Sequence, residues 1–334
     1  MNANRSRVWC RAAWVCLALF VAGLASLTPE FLQGSTGLVK LRNSLLVDAV
    51  DWRADWRPEQ TPADFQRDVP ARVDPFFAAQ VAALRLDQLP SDWERARAIA
   101  RRLLTGRAEL LGGAVQSDLR STYDAITKEG RGYCADFTRS FTALAVAAGL
   151  PVRSWAFSFD GFGGHGHVWV EIWDRAEQRW ILLDVFDNYY FTAGGAALSA
   201  LDLRAALLRN EPQLRLNLIA PEARPGYEIE AKAWDYFRRG LPQWYLWWGS
   251  NVYAYDADPM VRSLAPLGRS AEQLGATVSG VHPHIRILGD AQNTAEVQAI
   301  QGLKARLHLL AVLMPLLVML GGFAFWRCRK GRRA

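Results

Sequence analysis

Residues 130–137 read Gly-Arg-Gly-Tyr-Cys-Ala-Asp-Phe, and residues 167–184 read His-Val-Trp-Val-Glu-Ile-Trp-Asp-Arg-Ala-Glu-Gln-Arg-Trp-Ile-Leu-Leu-Asp. In the first stretch two glycines permit a tight turn ahead of Cys134. Beyond it Phe137, Phe141, Leu144 and Ala148 recur at intervals of four, three and four, one face of a helix that Gly149 and Pro151 end. Cys134 is thus predicted to open a buried helix. There the unpaired N–H groups and the helix dipole favour a thiolate over the free thiol, whose pKa is roughly 8.5. After the helix, residues 152–159 alternate as a strand and residues 161–166 form a glycine-rich loop. Residues 167–173 are a second strand. Period two puts His167, Trp169 and Glu171 on one face and Val168, Val170 and Ile172 on the other, and the β-branched set is expected to face the core. A turn at 174–179 leads to a third, apolar strand at 180–185 that carries Asp184. An antiparallel hairpin of the last two strands would bring Asp184 to His167, where it would orient the imidazole and favour its protonated form.

Taken singly, Cys134 reads as a buried thiol, His167 as a half-buried histidine and Asp184 as a strand-end carboxylate. Taken together they supply nucleophile, base and orienter in chain order. Two rivals stand beside them. His165 lies between glycines, where its rotamer is less well held than on a strand, and Asp187 is an alternative acid.

The stretch resembles the transglutaminase-like superfamily. The residues that carry the likeness are Gly132-Tyr133-Cys134, Gly149-Leu150-Pro151-Val152-Arg153, the strand from His167 to Trp173, and Trp180-Ile181-Leu182-Leu183-Asp184, and it extends over residues 93–190. The resemblance implies a papain-like α+β core with an antiparallel sheet and a nucleophile-bearing helix. It also implies Cys134 as nucleophile, His167 as base and Asp184 as orienter, with Tyr133 and Trp169 as substrate contacts. The sequence departs from the family pattern after Asp184, where Val185-Phe186-Asp187-Asn188-Tyr189-Tyr190 follows.

Composition sets the surroundings. The 334 residues are 51% hydrophobic and 22% charged, which excludes a disordered or low-complexity chain. The net charge of +6 suggests nucleic acid until the charges are located. Eight cations lie at 1–11 and 327–334, stretches without an acid, and removing them leaves the intervening chain at −2. No nucleic-acid partner is expected. Those basic tails flank two apolar segments. Residues 12–27 are an uncharged run that reads as a membrane anchor or a signal peptide, and residues 307–326 are long enough to span a bilayer before a polybasic stop. The positive-inside tendency puts both tails in the cytoplasm, so the region between faces outward as a two-span protein of a bacterial inner membrane with its main domain in the periplasm. Of four cysteines, Cys10, Cys16 and Cys328 lie in or beside those segments, which leaves Cys134 alone in the region between.

The chain is therefore expected to divide into a basic tail (1–11), an apolar segment (12–27), and an extended linker with short helices (28–90). A core (91–200) follows, then an aromatic-rich extension (201–306), the second apolar segment (307–326) and a basic tail (327–334). Within the core, Ser91 and Glu94 form a capping box for a helix at 95–104, and another helix is expected at 117–128. Residues 234–255 hold nine aromatics in 22 positions, which reads as core packing, a glycan-stacking groove or an interfacial belt. The expected activity is cysteine-dependent acyl transfer or amide hydrolysis on a protein or peptide substrate, in an envelope or exopolysaccharide setting. The alternatives are a catalytically silent binding or assembly component that contacts glycan or envelope proteins, and a structural scaffold with an inert Cys134. No cofactor is expected, and no metal, since the five histidines lack ligand spacing and His282-Pro283-His284 reads as a loop.

Overall fold

The computed structural model of the chain describes residues 3–48, 50–104, 113, 115 and 118–333. Helix Leu119–Glu129 starts where the Asp118 carboxylate accepts the Ser121 N–H at 2.9 Å, and it ends at Gly130 in the left-handed conformation. Ser117, the expected start of this helix, lies outside the described residues. Gly132 then has φ of +142°, and a Cβ there would approach Ile126 and Phe137 to 3.2 Å. Glycine therefore lets the chain turn straight into helix Cys134–Ala147. Asp136 fixes the start of that helix by reaching back to the Tyr133 N–H at 2.9 Å. Phe137, Phe141 and Leu144 are fully buried, whereas Ala148 is the cap residue and only partly buried.

The strands are β1 (Val152–Ser158), β2 (Gly166–Asp174), β3 (Arg179–Leu183), β4 (Tyr189–Ala193), β5 (Ala196–Ala197), β6 (Leu214–Leu218), β7 (Trp244–Trp248) and β8 (His284–Ile287). The main sheet has the order β3-β2-β1-β7-β8 and is antiparallel throughout, with Phe157 opposite both His167 and Trp244. A smaller sheet, β5-β4-β6, is also antiparallel. The β2–β3 hairpin is the expected one. It closes one residue before Asp184, which pairs its backbone with Tyr189 instead.

The α+β architecture buries both faces of the main sheet. On one side Val170, Ile172 and Leu183 pack against Phe137, Phe141 and Leu144 and against helices Pro75–Ala83, Asp92–Leu104 and Leu119–Glu129. The opposite face, which carries Trp169 and Glu171, was expected to lie away from the core. It forms a second core with Trp155, Trp244, Trp248, Leu182 and Phe237, covered by helices Ala200–Arg209 and Glu230–Gly240. Two further expectations take definite form. The stretch read as a linker with short helices contains helix Ser35–Leu46, and of the three readings of the aromatic segment the structure matches core packing: β7 is an inner strand, and Trp244, Tyr245, Trp248, Tyr253 and Tyr255 are buried. The physical reason is the same in both cases, since each element is stabilised by partners far away in sequence.

Helices Ala3–Ala25 and Thr294–Arg333 are long and apolar enough to cross a membrane. They lie antiparallel. Cys10 is bridged to Cys328, a Cβ on Gly321 would sit 3.1 Å from Cys16, and the Arg306 guanidinium donates to the Ser26 carbonyl at 3.0 Å. Their apolar windows are 0% and 11% buried, so neither is a core helix of the domain. The longer helix begins inside it, with Ile300 and Leu303 buried.

Candidate active site

Three elements bring the site together. The helix start presents Cys134, the first residues of β2 present His167, and the turn after β3 presents Asp184 and Asp187. His167 Nε2 lies 2.6 Å from Asp184 Oδ2 and 3.5 Å from Asp187 Oδ2, and all three side chains are buried. The Cys134 thiol is the remaining neighbour that favours the protonated imidazole, and it lines the same cavity. With Nε2 engaged by carboxylates, Nδ1 is the ring nitrogen left for the sulfur. Cys134 is half-buried and has no disulfide partner. Burial opposes protonation of His167, but the charge and hydrogen bond of Asp184, then the charge of Asp187 and the thiol contact, overcome it and raise its pKa well above the ordinary value. Asp187 is pushed up to about 7 by burial and by the neighbouring Asp184 charge, against the pull of His167. The two acids that the sequence offered as alternatives therefore act on one imidazole together. Asp184 makes the short contact, and Asp187, its carboxyl raised by burial, lies behind it.

The other expected positions separate. His165 is exposed, with Nδ1 3.8 Å from Asp160. Tyr133 is half-exposed at the mouth of the cavity. Trp169, expected to contact substrate, is 1% exposed and packs on Trp244 and on the His167 ring, with centroids 4.9 and 5.7 Å apart. It buttresses the imidazole from the second core, which the sequence reading did not foresee. Tyr236 does the same from helix Glu230–Gly240, its ring 5.6 Å from that of His167 and its hydroxyl donating to the Gly166 carbonyl at 3.2 Å. His282 and His284 have different partners, His282 packing at a tilt against Trp247 and His284 lying 2.7 Å from Asp48.

Cys134 and His167 open into a cavity of about 320 Å³, whose wall also includes Tyr245 and Trp247 of β7 and Arg42 of helix Ser35–Leu46. These wall residues come from segments distant in sequence, and no local motif marked them. His167, Asp184 and Asp187 also place one nitrogen and two oxygens within 4.8 Å of one another, a donor set open to a divalent cation. The 2.6 Å contact, however, is the length of a charge-assisted hydrogen bond, shorter than two ligand atoms sharing one ion at about 2 Å each would adopt.

A cysteine at a helix start, a histidine at the start of a neighbouring strand and an acid one hairpin later thus meet at one site, and comparison with known families finds a match around them. Residues 79–185 are a transglutaminase-like superfamily domain. The match ends just past Asp184 and so takes in the helix, the hairpin and Cys134, His167 and Asp184, while Asp187 lies beyond it. No curated protein and no solved structure matches the chain. The transglutaminase-like domain has a fold suited to thiol chemistry. In this chain β7, β8 and helix Ser35–Leu46, all outside the matched span, complete its sheet and cavity.

Proposed function

We propose that the protein is a membrane-anchored thiol enzyme that acts outside the cytoplasm on an amide-linked acyl group of a protein or peptide. The observation that carries this reading is the His167 imidazole, held at 2.6 Å by Asp184 and in contact with Cys134 at the head of a helix. The raised His167 pKa supports an imidazolium beside a thiolate. Cys134 Sγ attacks the substrate carbonyl, and the oxyanion accepts a hydrogen bond from the Cys134 N–H, which has no acceptor within the helix. His167 then gives its proton to the departing amine as the C–N bond breaks, leaving a thioester and a neutral imidazole. Water or a second amine attacks the thioester while His167 takes up its proton, which regenerates the thiolate and imidazolium. Hydrolysis and transfer thus share one site and differ only in the acceptor.

The antiparallel pair of apolar helices supports the anchor, and the eight cations flanking the two apolar segments support the reading that the tails lie in the cytoplasm and the transglutaminase-like domain in the periplasm of a bacterium. The test is alkylation of Cys134 by iodoacetamide in the detergent-solubilised full chain, followed by peptide mass spectrometry. At pH 6 a thiolate paired with an imidazolium reacts readily, whereas a free thiol is ionised to less than about one part in a hundred. His167→Ala is therefore expected to slow labelling by about two orders of magnitude, and Asp184→Asn by less. Slow labelling of the wild-type protein, indifferent to both substitutions, would instead favour a silent binding component.

A further inference from the structure

The cavity runs along the nucleophile helix, because Cys134, Thr138 and Thr142 all line it and residues four apart share a helical face. Away from Cys134 its wall is cationic. Arg42, Arg139 and Arg269 line it together, and Arg139 lies five residues beyond Cys134 on the same helix, an axial rise of about 7.5 Å.

These charges are incompletely balanced. Arg269 pairs with Glu272 at 3.2 Å. Arg139 faces Asp256 at 3.6 Å, beyond hydrogen-bond length, and its Nη1 is buried with no hydrogen-bond partner among the described residues. Arg42 has no carboxylate partner among the described residues. Its Nε and Nη2 donate to Asn43 Oδ1 at 3.0 and 2.6 Å, its Nη1 donates to Gln273 Oε1 at 2.8 Å, and its guanidinium lies over Trp247. The acid in the wall, Asp136, is committed to the N–H groups of Tyr133 and Val115. Thr142 Oγ1 adds a buried, unpartnered hydroxyl on the same side. A half-buried guanidinium without a counter-ion gives up part of its hydration, and a site that receives an anion recovers that cost.

We infer that this wall recognises a carboxylate on the acyl substrate, held one and a half helical turns from the carbonyl that Cys134 attacks. Arg42, with no carboxylate partner among the described residues, and the unpartnered Nη1 of Arg139 supply the donors that the two oxygens of one carboxylate can take up. The inference rests on the reading of Cys134 as nucleophile and narrows its substrate to acidic amides.

The experiment compares two alkylating probes of equal shape, N-bromoacetyl-β-alanine and its primary amide, on the full chain in detergent. Rates at Cys134 are read by peptide mass spectrometry and referred to the rates of the same probes with glutathione. The expected result is a preference for the carboxylate probe at least about tenfold above that of glutathione, the factor one charge-assisted hydrogen bond supplies. Arg42→Gln and Arg139→Gln should bring the preference down toward that of glutathione, and Arg42→Lys should retain part of it. The inference is overturned if both probes react fast with the preference of glutathione, or if the preference survives both glutamine variants, since His167 alone would then account for it. If neither probe reacts fast, the thiol reading fails and this inference falls with it. Should a variant not fold, the wild-type ratio still decides against the proposal when it equals that of glutathione.

Discussion

At Asp187 two carboxylates and one imidazole share a space without room for two full negative charges. The pKa of Asp187 is raised to about 7, because burial and the Asp184 charge outweigh the attraction of His167. A carboxyl with a folded pKa above its unfolded value contributes stability that is fully present below the unfolded pKa, near 4, and is lost as pH rises through the folded value. His167, also raised, has the same sign, with its contribution lost at higher pH, from about 6.5 upward through its folded pKa. Asp187→Asn fixes the neutral form. Urea unfolding of wild type and variant between pH 4 and 8 should therefore show the variant gaining relative stability as pH rises toward 7 and levelling off above it. A difference independent of pH would mean that Asp187 is ionised throughout and is not the proton-bearing acid of the pair. The alkylation test separates its neighbours on other grounds, since the roles proposed for His167 and Asp184 are toward the thiol.

Elements are held in place by a second buried polar cluster that takes no part in this chemistry. Arg153 of β1 donates to Glu171 of β2 at 2.7 Å and to the Ala54 carbonyl at 2.6 Å, and its guanidinium lies 4.0 Å over Trp180 of β3. Glu171 also accepts from the Trp155 indole at 2.6 Å and from the Ala200 N–H that opens a helix. One ion pair thus ties three strands, a helix start and the segment before residue 56. Glu171→Gln leaves the Arg153 charge buried and unpaired, and a loss of about 3–5 kcal/mol in unfolding free energy is expected. Denaturation followed by tryptophan fluorescence measures it, and a loss below about 1 kcal/mol would show that water reaches the pair. The sequence made one side of this arrangement legible. Helix Cys134–Ala147 and the β2–β3 hairpin are contiguous, carry clear periodicity and bring Cys134, His167 and Asp184 to one place. It concealed the other side, because strand alternation shows which residues share a face and not whether that face is covered. Glu171 and Trp169 looked like a polar face until residues 198–248 folded over them. Leu38, Leu41 and Leu45 carried a helical spacing that the surrounding prolines masked, and with it went Arg42 of the cavity wall.

Across the whole molecule the two terminal helices bring the ends of the chain together at a pair of cysteines. Cys10 and Cys328 have Cα atoms 5.0 Å apart, close enough to form a bond, and both belong to the arginine-rich ends of the helices. The proposed orientation puts those ends in the cytoplasm, where thiols are kept reduced, and puts Cys134 in an oxidising compartment. The two compartments make opposite demands on the pair. In cells quenched with N-ethylmaleimide before lysis, Cys10 and Cys328 are therefore expected to be alkylated, and in isolated membranes a mild oxidant should bridge them rapidly. Cleavage between the helices followed by non-reducing electrophoresis reads both results, because only the bridged form stays in one piece. Failure to bridge in membranes would mean that the helices are not paired at these positions, or that the first one has been removed as a signal peptide. A bond already present in quenched cells would put the basic ends on the oxidising side and so reverse the topology. Cys134 would then face the reducing compartment, and the search for an acidic amide substrate would move to the cytoplasm.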